Sequence, residues 1–433
     1  MIQTIKKAWG IPELRKKIIF TALILLIFRI GNAIPVPYVN TDLLSSYLEG
    51  MSTTVLGLYN VMSGGAFAQA TVFALGVQPY INSSIIIQLL TIAIPALERL
   101  ARDGGEEGKK KIQSITRYAT VAIAILQGWG YYMLMKNYGI LTEKSFWVAL
   151  VIIASFIAGS SFVMWMGEQI NEKGIGNGIS ILIFAGIISS WSSLFTSVRY
   201  YFGLAMDGES KYFIFMPLIL VLALVVLVLI VILNAAERRI PVQYAKRVVG
   251  RKMYGGQNSH IPIKVNMSGV MPIIFASTLA MIPTTIAQFF PNLYNASVHP
   301  VWSAILGAFS PSSWAYAVIY FVLIIAFNYF YVAMQYNPVE IANNLRNNNG
   351  TIPGYRPGKP TSDFITKVLG KITFIGAVFL GIVAVLPIVL GTVTGVNISL
   401  GGTSLLIVVG VALDTSRSLE SYMLMRHHKG FLE

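Results

Sequence analysis

The chain is 433 residues long, 55% hydrophobic and only 12% charged, whereas a soluble globular domain carries roughly 25% charged residues. Too little polar surface is available to face water, so most of the length belongs in a bilayer. Cysteine is absent, which excludes disulfides, thiolate metal sites and cysteine nucleophiles in this chain, and the formal net charge of +14 is explained first by the basic cytoplasmic loops of a membrane protein.

Residues 1–17, MIQTIKKAWGIPELRKK, form an amphipathic basic lead-in. No small-residue cleavage pattern follows the first apolar run, so the first span is expected to persist. A hydrocarbon core of about 30 Å calls for roughly 20 apolar residues per helix. Apolar runs of that order predict spans near 18–37, 72–97, 115–135, 146–166 and 176–196. A second set is expected near 213–234, 267–290, 316–336, 368–391 and 400–422, followed by a tail at 423–433. Ten spans put both termini on one side of the membrane.

Basic residues decide which side. Segments 1–17, 98–117, 168–175, 237–264, 337–371 and 414–433 hold 27 of the 32 Lys and Arg residues. The opposite loops hold only Lys136, Lys144, Arg199 and Lys211, and Arg29 lies inside the first span. The termini are therefore expected in the cytoplasm. Five spans, a short polar external connection at 197–212 and five more spans predict an N-terminal half, 18–196, and a C-terminal half, 213–422. An odd number of spans per half gives inverted topology, with 197–212 as the candidate hinge.

Between the first two spans, GLYNVMSGGAFAQATVFALG is apolar yet broken by Gly57, Gly64, Gly65 and Gly76. Such a segment does not span comfortably alone, and broken apolar backbone at membrane depth is tolerated only where protein or a water-filled cavity surrounds it. A re-entrant half-helix is expected here, ahead of an ordinary amphipathic external helix.

Enzyme signatures are missing. The four histidines form no HExxH, and no GxxxxGK[ST] phosphate loop occurs. The run GIGNGIS, Gly174 to Ser180, lacks the strand that would make it a dinucleotide loop and reads as a tight cytoplasmic turn. Ionisable groups at membrane depth are few: Arg29, read as snorkelling toward the external interface, and Glu168 near a cytoplasmic boundary. Asn266, Gln88, Ser83 and Ser84 are candidates for interhelical hydrogen bonds of about 1 kcal/mol or less, weak enough to hold a gate that must open. Loop 237–264 carries seven basic residues against one acid, and 337–371 adds Arg346, Arg356, Lys359, Lys367 and Lys371. These charges suit topology and anionic lipid, and equally a ribosome or an acidic cytosolic partner.

Six blocks, in order, carry a family resemblance. They are FRIGNAIPVP at 28–37, SGGAFAQATVFALGVQPYINSSIIIQLL at 63–90, MWMGEQINEKGIGNGISILIFAGI at 164–187, YAKRVVGRKMYGGQNSHIPIKVNMSGVMPIIFAS at 244–277, NPVEIANNLRNNNGTIPGYRPGKPT at 337–361 and GGTSLLIVVG at 401–410. Together they resemble the SecY/Sec61-alpha family of channel-forming subunits of the Sec protein translocase. Tyr38 stands where a glycine is expected after IPVP, and 291–315 matches no family block.

The resemblance implies an all-α polytopic membrane protein with ten transmembrane helices in two pseudo-symmetric inverted halves. Between the halves it implies an hourglass pore for unfolded secretory polypeptides, closed by a re-entrant plug at about 57–70 with Gly64 and Gly65 at its turn. A ring of aliphatic side chains is carried over onto Ile81, Ile85, Ile179, Ile183, Ile274 and Ile407. Ile81 with Ile85, and Ile179 with Ile183, are i, i+4 pairs on one helix face, although most isoleucines in a span face lipid. A lateral gate between the second and seventh spans would release transmembrane segments into lipid, with Glu168, Asn266, Ser84 and Gln88 as its polar positions. Docking of the SecA motor and the ribosome falls on Arg238, Arg239, Lys246, Arg247, Arg251, Lys252 and, for motor action, Arg356.

SecE and SecG are the implied companion subunits, signal sequences and translocating polypeptides the clients, and the bacterial plasma membrane the location. No cofactor, metal or catalytic residue is implied, so the energy must come from a partner. The rival is an inverted-repeat secondary transporter, which should show buried charge or polar half-helix sites near the midplane. An ion-selective channel lacks its filter or acidic ring here, and an intramembrane enzyme lacks its catalytic constellation.

Overall fold

The computed structural model describes residues 2–49, 55–102, 104–206, 210–244, 247–249, 252–254, 258–289, 299–310, 313–394 and 402–429. Helix dominates throughout. α1 (Ile2–Trp9) leads into α2 (Pro12–Gly31). Pro12 opens α2 where no amide donor is required, and the helix stops at Gly31 because the prolines of the following IPVP stretch cannot continue it. The helix that covers the first expected span is thus shifted toward the N terminus relative to 18–37.

α3 (Thr41–Glu49) and α4 (Val55–Met62) follow at the end that the charge asymmetry assigns to the outside, called the outer end below. The second expected span is broken into α5 (Gln78–Ala93) and α6 (Pro95–Arg102), bent by 106°. Ile94 at the break is extended, with φ −110° and ψ 111°, the conformation that a following proline imposes. α7 (Gly105–Asn137) returns beside α6, so tightly that a Cβ at Gly108 would lie 2.1 Å from the Leu100 carbonyl oxygen. α8 (Phe146–Lys173), α9 (Gly178–Ser189) and α10 (Trp191–Met206) complete the N-terminal half.

The segment 197–212, expected to be a loop, is helical as far as Met206, where α10 packs along α11 (Ser210–Ala235). Residues 207–209 of the expected hinge lie outside the described residues. β1 (Glu237–Tyr244), β2 (Arg247–Val249), β3 (Lys252–Tyr254) and β4 (Asn258–Lys264) fill the basic inner loop. The C-terminal half continues through α12 (Met271–Phe289), α13 (Pro300–Ala308), α14 (Trp314–Gln335), α15 (Pro338–Asn347), β5 (Gly350–Thr351), α16 (Lys359–Thr394) and α17 (Gly402–Lys429). β1 is the central strand of the order β4-β1-β5, antiparallel to β4 from Glu237↔Lys264 to Gln243↔Asn258. Its alternation buries Ile240 and Val242, with Ile263 of β4, against the inner ends of α14 and α16.

Among the described residues, four helical stretches pass a length and apolarity test for crossing a bilayer: Phe146–Lys173, Tyr212–Ala235, Trp314–Asn347 and Lys359–Thr394; the bent pair α5 and α6 passes jointly. α9 and the Met271–Thr284 part of α12 are apolar but short. A helix enclosed by other helices needs no full lipid-facing length, and α9 buries both faces at Ile179, Ile181, Leu182 and Ile183.

Candidate functional site

One apolar cluster occupies the middle of the bundle and draws on both halves: α2, α5, α8 and α9 from the first, and α11, α12, α14, α16 and α17 from the second. All six isoleucines of the expected ring are buried in it. Ile81 and Ile85 come from α5, Ile179 and Ile183 from α9, Ile274 from α12 and Ile407 from α17. The opposite face of α5 is polar and tied down: Ser83 Oγ donates to the Thr116 carbonyl of α7 at 2.7 Å, and Thr120 Oγ1 donates to Ser83 Oγ at 3.0 Å. This bonding fixes the rotation of α5 and turns Ile81 and Ile85 inward, leaving Ile86 and Ile92 exposed.

α9 is set by the glycines that precede it. Asn177 caps it by accepting the Ser180 amide at 3.2 Å, the usual service of an Asn at that position. A Cβ at Gly178 would lie 2.0 Å from the Gly167 carbonyl oxygen, so α9 lies directly on α8. The turn is also wedged between the halves: Thr21 Oγ1 of α2 accepts the Ile175 amide at 3.3 Å, and a Cβ at Gly176, where φ is +69°, would lie 3.3 Å from Thr415 Oγ1 of α17. GIGNGIS is a turn, as its sequence suggests, and also the joint where α2, α9 and α17 meet.

The glycine-broken segment forms α4 and the turns of residues 63–77, which re-enter the bundle before α5 begins. α4 rests on α9 and α12, one helix from each half. Gly64 and Gly65 have φ of +71° and +90°, a region that glycine enters without steric cost. A Cβ at Gly186 of α9 would lie 2.4 Å from the Met62 carbonyl oxygen, so α9 needs a glycine there for the segment to seat. Ser190 Oγ donates to the Val61 carbonyl at 3.2 Å, Asn32 Nδ2 to the Ser63 carbonyl at 3.1 Å and Gln78 Nε2 to Met62 Sδ at 3.0 Å. Arg29 of α2, expected only to snorkel, donates to the Gly64 carbonyl at 3.4 Å and to Ser189 Oγ.

The expected gate positions bond within their own halves. Glu168 is buried and accepts from Arg117 Nε at 2.8 Å and Gln113 Nε2 at 3.2 Å, both on α7. Asn266 donates to Asn234 Oδ1 at 2.8 Å, Ser268 Oγ donates to Asn328 Oδ1 at 3.1 Å, and Arg417 donates to the Asn234 carbonyl. Gln88 Nε2 donates to Ser84 Oγ at 3.2 Å, one turn back on α5. Arg117, Asn234, Asn328, Arg417 and Ser189 are absent from the expectations drawn from sequence. Arg117 and Arg417 carry a signal, each being a cation at or within the edge of an expected span, but both were counted as loop charges.

On the inner face Arg238 and Arg239 are exposed on β1, and Arg239 Nε pairs with Glu237 Oε1 at 2.7 Å. Arg247 and Lys252 belong to β2 and β3, while Lys246 and Arg251 lie outside the described residues. Arg356 is exposed on a loop flanked by Gly354 and Gly358, with φ of +86° and +101°. Thr361 Oγ1 caps that loop by donating to the Arg356 carbonyl at 2.8 Å.

Comparison with known proteins follows the same lines. A family model described as SecY matches residues 71–416. The protein translocase subunit SecY of Aquifex aeolicus is 39% identical over 438 residues, covering 100% of both chains. A solved structure described as showing that the plug domain of the SecY protein stabilizes the closed state of the translocation channel and maintains a membrane seal superimposes with a TM-score of 0.67 at 18% identity, over 96% of each chain. Sec61 in the canine ribosome-channel complex superimposes with a TM-score of 0.62 at 16% identity, again over 96% of each chain.

Proposed function

The chain belongs to the SecY family of protein-translocation channels, and from that premise we propose that unfolded polypeptides pass between its two halves through the ring of Ile81, Ile85, Ile179, Ile183, Ile274 and Ile407. The observation that carries this path is the sharing of one buried cluster by isoleucines from α5 and α9 of one half and α12 and α17 of the other. An aliphatic ring excludes water and ions by dewetting, and it offers no fixed polar partner on which a passing chain would stall. The transporter reading asks instead for polar half-helix sites at the midplane, and it is not favoured.

Residues 57–70 act as the plug on the outer side of the ring. The seam between α5 and α12 is the lateral gate. Glu168 is bonded to α7 and Asn266 to α11, so these two polar side chains keep their partners when the seam parts. An apolar segment lying in the open seam gains about 25 cal/mol per Å² of surface moved from water to lipid. The exposed arginines Arg238 and Arg239, and Arg356 on its glycine-flanked loop, are the docking points for the SecA motor and the ribosome, together with Lys246, Arg247, Arg251 and Lys252. SecE and SecG accompany the chain, anionic lipid meets its basic inner loops, and a partner supplies the energy. The termini face the cytoplasm of a bacterium, in the plasma membrane.

Because the chain has no cysteine, single cysteines at Ile81 and Ile183 need no background removal. A secretory precursor carrying one cysteine and a bulky carboxy-terminal stop is stalled in membranes containing the complex, and disulfide formation is measured. Crosslinks are expected at both positions and not at Leu224 or Val228, exposed on α11. Efficient stalling without crosslinks at the ring would sink the path.

A further inference from the structure

The plug segment is held in two different ways along its length. From Ala66 onward it is fixed. Phe67 is buried, stacks on Tyr131 with ring centroids 4.2 Å apart, and its carbonyl accepts the Tyr131 hydroxyl. Residues 34–36 pair with 70–72, through Val36 N to the Ala70 carbonyl and Val72 N to the Ile34 carbonyl, both at 3.0 Å. α4 is different: Val61 and Met62 are only half-buried, and the helix rests on α9 and α12. Leu56 is buried, and two links cross the turn, Ala68 N to Asn60 Oδ1 at 2.9 Å and the Tyr59–Phe67 ring pair, so movement of α4 about Ser63–Gly65 has to break them.

At that pivot the Gly64 carbonyl accepts twice, from Arg29 Nη1 at 3.4 Å and from Ser189 Oγ at 3.2 Å, and Arg29 also donates to Ser189 Oγ. One cation thus closes a triangle among α2, the plug turn and α9. The positive φ of Gly64 and Gly65 turns the Gly64 carbonyl toward Arg29. Snorkelling, the role expected from sequence, needs only water and headgroups; it needs no partners 35 and 160 residues away.

We propose that Arg29 is a positioning residue of the channel, a latch whose guanidinium bridges the Gly64 carbonyl and the Ser189 hydroxyl and biases α4 toward its seat on α9 and α12. The latch rests on the assignment of residues 57–70 as plug. Both acceptors are neutral and Arg29 is solvent-exposed, so the bond is strong enough to shift a two-state equilibrium and weak enough to release when a chain enters. A hydrogen bond to a charged donor changes such an equilibrium by about tenfold or more, and the two protons of Nη1 can serve both acceptors at once.

The test uses the full chain with its partner subunit in proteoliposomes, with no precursor present, and reads two quantities: passive ion leak, and the rate at which a cysteine at Val61 reacts with an impermeant maleimide. Arg29→Gln is expected to raise both by about tenfold, and Arg29→Lys to restore part of the seal. In a chain lacking residues 57–65 the leak is already high, and Arg29→Gln adds nothing. A full-length Arg29→Gln channel that stays tight overturns the latch. So does further leak on Arg29→Gln in the shortened chain, which would make the cation an electrostatic barrier instead. If the shortened chain is itself tight, the plug assignment falls and the latch with it. Should Arg29→Gln fail to accumulate, Ser189→Ala keeps the cation and removes one bridge, and the same outcomes apply to it.

Discussion

Tyr38 shows how a single residue can be legible in sequence for a reason that only the backbone explains. A glycine is expected there, and the structure gives Tyr38 a φ of +68°, the region where an L side chain costs roughly 1–2 kcal/mol. Its carbonyl accepts both the amide and the hydroxyl of Thr142, at 3.1 and 3.0 Å, so the turn between α7 and α8 holds the strained residue in place. Tyr38→Gly relieves the strain but gives the unfolded chain more freedom, at about 0.5–1 kcal/mol. The net expectation is stabilisation by up to about 1 kcal/mol. Tyr38→Val, with a β-branched side chain forced to positive φ, should destabilise. Thermal unfolding of the purified complex separates the two, and equal midpoints for both variants would remove the strain argument. Residue partners, by contrast, were not legible: Ser83 finds Thr116 across 33 residues and Arg417 finds Asn234 across 183. Hydropathy marks a polar residue in a span without saying which neighbour it faces.

Hydropathy locates helices well where they are uniformly apolar and badly where they break. α8, α11 and α14 fall close to the spans expected from it, whereas 72–97 runs through the break between α5 and α6, and 176–196 through that between α9 and α10. Pro95 was a signal for the first break. At the second, Ser189 and Ser190 end a run that is apolar only on its N-terminal side, and both bond to residues 61–64. The inner hairpin is legible as a charge cluster, not as strands, because its two faces differ: Ile240 and Val242 are buried on one face, where Arg238 is exposed at the strand's start, while Glu237, Arg239, Pro241 and Gln243 are exposed on the other. That alternation predicts unequal roles for neighbouring arginines. Arg239 is paired with Glu237, and Arg238 is the better candidate for an RNA phosphate. Arg238→Glu should weaken ribosome binding more than Arg239→Glu, and should reduce the slope of log affinity against log salt by about 0.7–0.9, the effect of one lost phosphate contact. Co-sedimentation of ribosomes with proteoliposomes across a salt series measures both. An unchanged slope would move the docking surface elsewhere.

For the molecule as a whole, a closed channel must stop ions while remaining able to open for a polypeptide, and two barriers in series meet both demands. The six isoleucines proposed as the ring are buried within the central cluster, and α4 of the proposed plug rests on α9 and α12. Flow through two barriers in series is governed by the more resistant one, which in the closed channel is the plug, so damage to the ring alone is hidden while loosening of the plug is not. Ile183 is 2% exposed, and Ile183→Ser makes the constriction wettable. Lowering an apolar barrier by about 1.4 kcal/mol, less than the burial value of two methylene groups, changes a rate by about tenfold. With the plug in place, Ile183→Ser should therefore leak little more than the parent channel. In a chain lacking residues 57–65 the same substitution should raise the leak by about tenfold over the deletion alone. Single-channel current in planar bilayers reads this directly. A large current from Ile183→Ser with the plug present would mean that the plug does not seal, and equal currents with and without the substitution in the shortened chain would mean that Ile183 is not at the constriction. The i, i+4 pairing of isoleucines on α5 and α9 was visible in the sequence, but only their meeting with Ile274 and Ile407 across the halves makes this test possible.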